Sequence, residues 1–308
     1  MLGPLCVGCA VFALRDHDPD DGAPDLWKIL QPAVCRARRD RRRRIAIDDS
    51  KKLKTAETPG VHPLRYLERG VLATLGASDR WPGTDERLLR LVGAEVPTAP
   101  WYDSTLDLPL AQGADEIRIG ASRLKRALDR SGVQCALLRC EAIDVERFND
   151  QVERTGSKAS VNFCACMRLL DAVWRQWPGD HPRVIVDRQG GRTHYLDVLG
   201  LLFQGARIRI LAESERLSRY RLQRDGAFLT VSFVRNAEAG HLPVALASMT
   251  AKYVRELFML RLNRFFGAHL AELKPTAGYV QDARRYLGEI APVIERLGLP
   301  RSHLIRTV

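Results

Sequence analysis

Two short β-branched segments of this 308-residue chain each end in aspartate. They are Ile45-Ala-Ile-Asp-Asp49 and Arg183-Val-Ile-Val-Asp187. In open α/β sheets, the side chains that do chemistry gather beyond the carboxyl ends of the strands. The pattern therefore predicts an α/β fold, with Asp187 the foremost candidate for a functional carboxylate at a sheet edge.

Hydrophobic periodicity predicts the remaining elements of the chain. Strands are predicted over residues 5–14, 134–143 and 206–212, with a β-hairpin over 219–235. Helices are predicted over residues 63–77, 84–93, 117–128, 158–177, 194–202, 244–266 and 279–297. The proline-bearing stretch 97–112 predicts a crossing loop that leaves Trp101 and Tyr102 exposed.

Composition narrows the class of protein. The formal net charge of +11 makes nucleic acid the first partner to consider. No apolar run reaches the roughly 18–20 residues of a membrane span, and the opening residues lack the features of a secretory signal. The seven scattered cysteines predict reduced thiols rather than a disulfide framework or a zinc site. We therefore expect a cytoplasmic protein without membrane contact, and nothing in the sequence requires more than a monomer.

One charge run stands out between the first strand and the aspartate at 49. Residues 36–44 hold seven arginines in nine positions. Two interpretations are open for such a run: a solvated loop whose charges repel one another, or a patch that contacts phosphate groups.

Three longer motifs become informative in combination. Asp49-Ser-Lys-Lys-Leu53 follows a strand, Val184-Ile-Val-Asp-Arg-Gln-Gly-Gly191 ends another, and residues 244–259 open a helix. Gly278-Tyr279 followed by Asp282, and Arg301-Ser-His-Leu-Ile-Arg306, come later in the chain. In this order the five segments resemble ribonuclease HII, the type 2 ribonuclease H family, over essentially the whole chain.

The resemblance implies a fold, an activity and a cofactor. The fold is α/β, a ribonuclease H-like mixed sheet flanked by helices, with a helical C-terminal region. Residues 1–240 would form the catalytic domain, with an insertion at about 78–135, and residues 241–308 a helical part packed on the same domain. The activity is endonucleolytic hydrolysis of the RNA strand of RNA–DNA hybrids, or at ribonucleotides embedded in DNA. Two Mg²⁺ or Mn²⁺ ions held by clustered carboxylates would support it.

The sequence departs from the family at its start. The family's first two acids lie in a D-E-A-G-x-G-P motif, whereas this chain begins Met1-Leu-Gly-Pro-Leu5, which matches the residues just after that motif. We expect that the gene start is misplaced at an internal methionine. Loss of a central strand leaves the neighbouring strands unpaired. The alternatives are a naturally degenerate, non-catalytic hybrid-binding protein and another nuclease of the ribonuclease H fold.

The resemblance assigns Asp187 and Glu238 as the catalytic and metal-binding acids. Glu238 stands where the family has an aspartate in a K-G-D turn, and glutamate also binds hard cations. An ordinary solvated acid is the alternative for Glu238, and a turn-forming residue at a strand end is the alternative for Asp187.

The resemblance also assigns a set of substrate contacts. Lysines would bind backbone phosphate, Ser248 and Lys252 would face one groove from successive helical turns, and Tyr279 would stack on a sugar. Without the resemblance, Lys252 would be interpreted as a surface residue and Tyr279 as half-buried core. The full set of predicted substrate-binding residues is Asp49, Ser50, Lys51, Lys52, Ser248, Lys252 and Tyr279.

Overall fold

The structure, a computed structural model, describes residues 1–15, 17–18, 21–55 and 60–307. It is a mixed α/β protein with small sheets and a helical C-terminal region. The strands are β1 (Leu5–Leu14), β2 (Val34–Cys35), β3 (Ile45–Ala46), β4 (Val133–Ile143), β5 (Arg183–Asp187), β6 (Arg207–Glu213), β7 (Leu217–Arg224) and β8 (Ala227–Val234). β1 pairs with β4 antiparallel, β2 pairs with β3 parallel, and the third sheet has the order β5-β8-β7-β6. In that sheet β5 is parallel to β8 and the other neighbours are antiparallel.

The helices follow the predicted periodicity closely. They are α1 (Leu26–Ile29), α2 (Ser50–Leu53), α3 (Arg65–Ala77), α4 (Asp85–Leu91), α5 (Ala114–Arg130), α6 (Val145–Thr155), α7 (Lys158–Gln176), α8 (Leu196–Leu202), α9 (Ala237–Gly240), α10 (Leu242–His269) and α11 (Val280–Arg296). Helix α4 begins where the Thr84 side chain accepts a hydrogen bond from the amide of Arg87, and Ser157 caps α7 through the amide of Ser160. Single 3₁₀ turns occupy Pro100–Tyr102 and Arg301–His303.

The structure contains elements that were not predicted. The short ones are α1, α2, α9 and β2, and the longer one is α6, although its Val145, Phe148 and Val152 have the i, i+3, i+7 spacing of a helix. Trp101 and Tyr102 were predicted to be exposed, and this prediction is wrong: 1% of Trp101 and 3% of Tyr102 are exposed. The Trp101 ring stacks on Phe266 of α10 with centroids 6.1 Å apart. A distant helix therefore covers a loop that looks polar in sequence.

The strands do not form the single central sheet that the resemblance implies. Among the described residues, β1 pairs only with β4, and β5 pairs only with β8, so each of these strands has an unpaired edge. Both sheets nevertheless pack on α7, because Cys166 contacts the apolar clusters beneath each of them. The backbone groups along these two edges therefore have no strand partner among the described residues.

Helix α10 is the centre of the main core. It is buried along most of its length and packs on β1, β4 and α3. Its approach to β1 requires glycine at position 8, where a Cβ atom would lie 2.0 Å from the carbonyl oxygen of Ala247. Despite its length, neither α10 nor any other described helix is apolar enough to cross a bilayer. This burial fixes the side chains that α10 presents at its N-terminal half.

Candidate functional site

Asp187 organises one end of the four-stranded sheet. It is the last residue of β5 and is opposite Val234 of β8. Its Oδ1 accepts a hydrogen bond from the backbone amide of Ala237 at 2.8 Å. Ala237 begins α9, the short helix that carries Glu238. The aspartate therefore positions the segment that carries the second predicted acid.

Another acid, Asp49, lies in the connection between β3 and α2. Asp49 caps α2, and its Oδ1 accepts a hydrogen bond from the amide of Lys51 at 2.8 Å. Ser50 is buried at the start of this helix, whereas the Lys51 and Lys52 side chains are exposed. Lys52 Nζ lies 3.8 Å from Asp48 Oδ2. The D-S-K-K segment thus presents one carboxylate and two ammonium groups beside the same short turn.

The electrostatics of Glu238 indicate that several of these segments lie near one another. Burial raises the pKa of Glu238 above its usual value, and the carboxylates of Asp49 and Asp187 raise it further. The hydroxyl group of Ser248 and the charge of Lys51 act in the opposite direction. Residues from three other segments, 49–51, 187 and 248, therefore lie near enough to Glu238 to act on its pKa.

Helix α10 connects this acidic group to a basic group one turn further on. The Ser248 hydroxyl donates a hydrogen bond to Ser50 Oγ at 3.0 Å, which joins α10 to α2. Lys252 follows four residues later, about 6 Å along the helix axis. Lys252 Nζ donates to the Tyr279 hydroxyl at 2.7 Å. The two predicted groove residues of α10 therefore do lie on one face of the helix.

Tyr279 is held as an exposed platform. Its side chain is 48% exposed, and its ring lies under two cations, with Lys252 Nζ 5.2 Å and Arg255 Cζ 5.0 Å from its centroid. Burial raises the pKa of Tyr279, but the hydrogen bond from Lys252 and the charge of Arg255 outweigh it, and the net shift is downward. Tyr279 is thus half-buried, but it belongs to none of the described apolar core clusters.

The turn before Tyr279 is built to hold that ring in place. Gly278 has a φ of +78°, and a Cβ atom there would lie 3.0 Å from the carbonyl oxygen of Leu2. Asp282 Oδ2 accepts hydrogen bonds from the Thr276 hydroxyl at 2.6 Å and from the Ala277 amide at 2.9 Å. The G-Y-x-x-D spacing therefore has a local structural role.

Glu256 is the most buried of the residues in this region that the sequence reasoning missed, the others being Arg255 and Lys54. It is 7% exposed and forms ion pairs with Lys252 at 2.9 Å and Lys54 at 2.8 Å. Burial acts to raise the pKa of Glu256, yet the charges of Lys252 and Lys54 lower it overall. The i,i+4 spacing of Lys252 and Glu256 on a helix was the available signal. Glu256 fixes the direction in which Lys252 points.

The carboxylates were tested as a metal centre against the requirements of hard cations. Mg²⁺ needs near-octahedral oxygen coordination, and two-metal catalysis needs several bridging carboxylates. Asp187 commits Oδ1 to the amide of Ala237, and within residues 1–15, 17–18, 21–55 and 60–307 no three His, Cys, Asp or Glu side chains form a group that could hold an ion. The described donors therefore do not fit a two-metal centre.

Comparison of the chain with protein-family models, with curated proteins and with solved structures finds no match.

The raised pKa of Glu238 predicts a pH effect on stability. Above its usual pKa of 4.5, the unfolded chain releases the proton before the folded chain does, so folding stability falls as pH rises through the folded pKa. We expect Glu238→Gln to remove this fall, so that the melting temperature of the variant rises relative to the native chain between pH 4 and pH 8. Thermal unfolding followed by circular dichroism at a series of pH values measures it.

The control for this prediction is Glu153→Gln, which changes an exposed glutamate on α6. Its melting temperature is expected to differ from that of the native chain by a constant amount across the same pH range. A constant offset for Glu238→Gln as well would contradict a raised pKa of Glu238 in the folded chain.

Proposed function

We propose that this chain is a ribonuclease HII-like protein that binds RNA–DNA hybrid, or DNA containing ribonucleotides, across α2, α10 and Tyr279. In this proposal the pair β4-β1 and the separate sheet β5-β8-β7-β6 correspond to two parts of a ribonuclease H-like mixed sheet. The activity proposed with this fold is hydrolysis of the RNA strand in the presence of Mg²⁺ or Mn²⁺. Asp187 and Glu238 are the carboxylates proposed to bind metal, and the described residues supply no third ligand beside them.

The convergence of the predicted residues is the observation that carries this proposal. Residues at 49–52, 187, 238, 248–252 and 279 were singled out from sequence as separate motifs. In the structure Ser248 contacts Ser50, Lys252 contacts Tyr279 one helical turn further along α10, and the charges of Asp49 and Asp187 act on Glu238. A phosphate backbone needs cations, and a nucleotide needs an aromatic face, and both lie here beside carboxylates.

The second candidate is a non-catalytic hybrid-binding protein. It is favoured by one observation: the described residues provide no group of three or more ligands that could hold a metal ion. The cations and Tyr279 do not depend on a metal, because their positions are set by Glu256, Gly278 and Asp282. Binding and hydrolysis are therefore separable measurements on the same chain.

The experiment compares three substrates of one sequence: an RNA–DNA hybrid, DNA with a single ribonucleotide, and plain DNA. Binding is measured by fluorescence anisotropy without divalent metal, and hydrolysis by gel analysis with Mg²⁺ or Mn²⁺. We expect tighter binding of the ribonucleotide-containing substrates than of plain DNA. Asp187→Asn is expected to lower the hydrolysis rate by about a hundredfold or more while leaving the binding constant unchanged.

The matched control is Asp225→Asn, at the β7–β8 turn. It removes one exposed carboxylate at the end of the sheet opposite Asp187, and it is expected to retain both binding and hydrolysis. Selective binding without hydrolysis would select the non-catalytic candidate. Hydrolysis of plain DNA, or equal binding of all three substrates, would contradict both candidates.

A further inference from the structure

The arginine run forms an ordered loop between β2 and β3. Its single acid, Asp40, forms an ion pair with Arg44 of the same loop. Arg44 donates to the Asp40 carboxylate through its backbone amide at 2.9 Å and through its guanidinium at 2.8 and 3.2 Å. These bonds hold the pKa of Asp40 at about 2, well below its usual value. The Asp40–Arg44 clasp thus closes the loop and leaves its other arginines without an acid inside the run.

Two neighbouring helices fasten the backbone of this loop. Arg69 of α3 donates to the carbonyl oxygen of Arg43 at 2.7 Å, and Arg123 of α5 donates to that of Arg42 at 3.1 Å. Both bonds bring further positive charge to a segment that is already basic. Burial lowers the pKa of Arg69, and the charges of Arg65 and Arg123 lower it further. The fold therefore concentrates like charge at this loop although the concentration is electrostatically unfavourable.

The side chains of the loop face solvent. Apart from Arg36 and Arg44, the run contains five arginines, and all five are exposed. In the part of the chain that the structure describes, none of their guanidinium groups forms an ion pair or a hydrogen bond. These five residues are Arg38, Arg39, Arg41, Arg42 and Arg43, and we refer to them as the arginine platform.

The platform is continuous with the proposed binding site. Arg36, at the start of the run, forms an ion pair with Asp48 at 3.2 Å, and Lys52 Nζ lies 3.8 Å from the same carboxylate. The Arg36 guanidinium also stacks on Trp27 at 4.3 Å from the ring centroid. A single aspartate therefore joins the first arginine of the loop to the second lysine of the D-S-K-K segment.

We propose that the arginine platform binds backbone phosphates of the same nucleic-acid duplex, outside the segment that contacts Lys52. This inference rests on the proposed function and extends it, because it specifies that the bound duplex is longer than the site around Glu238 requires. Exposed guanidinium groups on a fixed backbone suit phosphate, which each can bind with two parallel hydrogen bonds. A loop that was merely solvated would not need anchors from two helices that add to its repulsion.

The test compares two triple variants that remove the same charge. The platform variant carries Arg39→Gln, Arg41→Gln and Arg42→Gln, which preserve the Asp40–Arg44 clasp. The control variant carries Arg154→Gln, Arg207→Gln and Arg209→Gln, three exposed arginines on α6 and on the far edge strand β6. Affinities for hybrids of about 8 and about 20 base pairs are measured by anisotropy over a series of salt concentrations. Circular dichroism verifies that both variants fold.

For the long hybrid, we expect the platform variant to lose at least tenfold in affinity near 100 mM salt. The slope of log K against log salt should fall by about 2 to 3, because each phosphate contact contributes about 0.9. The short hybrid should bind all three proteins alike, and the control variant should resemble the native chain. Equal behaviour of the two variants on the long hybrid would overturn the inference.

A further variant separates this inference from the proposed function. Lys252→Met removes the cation beside Tyr279 and is expected to weaken binding of the short and the long hybrid alike. If Lys252→Met had no effect while the platform variant lost affinity for the long duplex, the platform would be supported and the site around Lys252 refuted. Failure of the native chain to bind either hybrid would refute both.

Discussion

Replacing Tyr279 with alanine is expected to weaken binding of an RNA–DNA hybrid by about 5- to 150-fold. The estimate takes the contact between the sugar and the ring to be worth the 1–3 kcal/mol of a base stacked on an aromatic ring. The ring is available for such a contact because Tyr279 is 48% exposed, and Lys252 and Arg255 hold it in place. Anisotropy titration with a fluorescent hybrid measures the effect.

Two further variants show whether the ring itself carries this contact. Tyr279→Phe keeps the ring but removes the hydroxyl that accepts from Lys252, so it should retain most of the affinity. Phe228→Ala removes another exposed aromatic side chain, at the end of β8 remote from Asp187, and should bind as the native chain does. Loss of affinity in Phe228→Ala equal to that in Tyr279→Ala would refute a specific role for Tyr279.

Replacing Arg261 with leucine is expected to lower the free energy of unfolding by about 3–5 kcal/mol. Arg261 of α10 forms a bidentate ion pair with Asp85 at 2.6 and 2.7 Å and donates to the carbonyl oxygen of Tyr102 at 2.6 Å. Only 2% of Arg261 and none of Asp85 is exposed. The leucine variant leaves the Asp85 charge buried without its cation, and urea denaturation measures the loss.

Arg264→Leu is the matched control for this prediction. It changes an exposed arginine three residues along the same helix, whose guanidinium reaches only the carbonyl oxygen of Thr105. Its cost should stay within about 0.5 kcal/mol. The double variant Asp85→Leu with Arg261→Leu should recover much of the lost stability, because neither charge is then buried alone. Equal costs for Arg261→Leu and Arg264→Leu would contradict the assigned role of the pair.

The secondary structure of this protein was largely predictable because it depends on local patterns. The run at 5–14 is β1 (Leu5–Leu14), and the hairpin predicted at 219–235 is β7 and β8. The same local reasoning failed at Trp101, whose burial depends on Phe266, a contact too distant in sequence to leave a periodic signal. Helix α6 was also missed, although its apolar residues do have helical spacing.

For the candidate site, too, individual residues were predictable but their contacts were not. Motif spacing singled out Asp187, Glu238, Lys252 and Tyr279, but it did not indicate which of them would lie close together. Glu256 escaped notice because a glutamate in the interior of a helix is usually solvated, and only its burial between Lys252 and Lys54 makes it an organising residue.

The sequence by itself determined the order of strands and helices, the excess of positive charge and the residue types at each strand end. These properties depend on neighbours within one helical turn or one strand. Only the tertiary structure decided that Asp49 and Asp187 lie near Glu238, that Asp48 joins Arg36 to Lys52, and that β1 and β5 keep unpaired edges among the described residues. The approach of Asp49 and Asp187 to Glu238 joins segments that are far apart in sequence, and it exists only once the buried helix α10 and the sheets have packed.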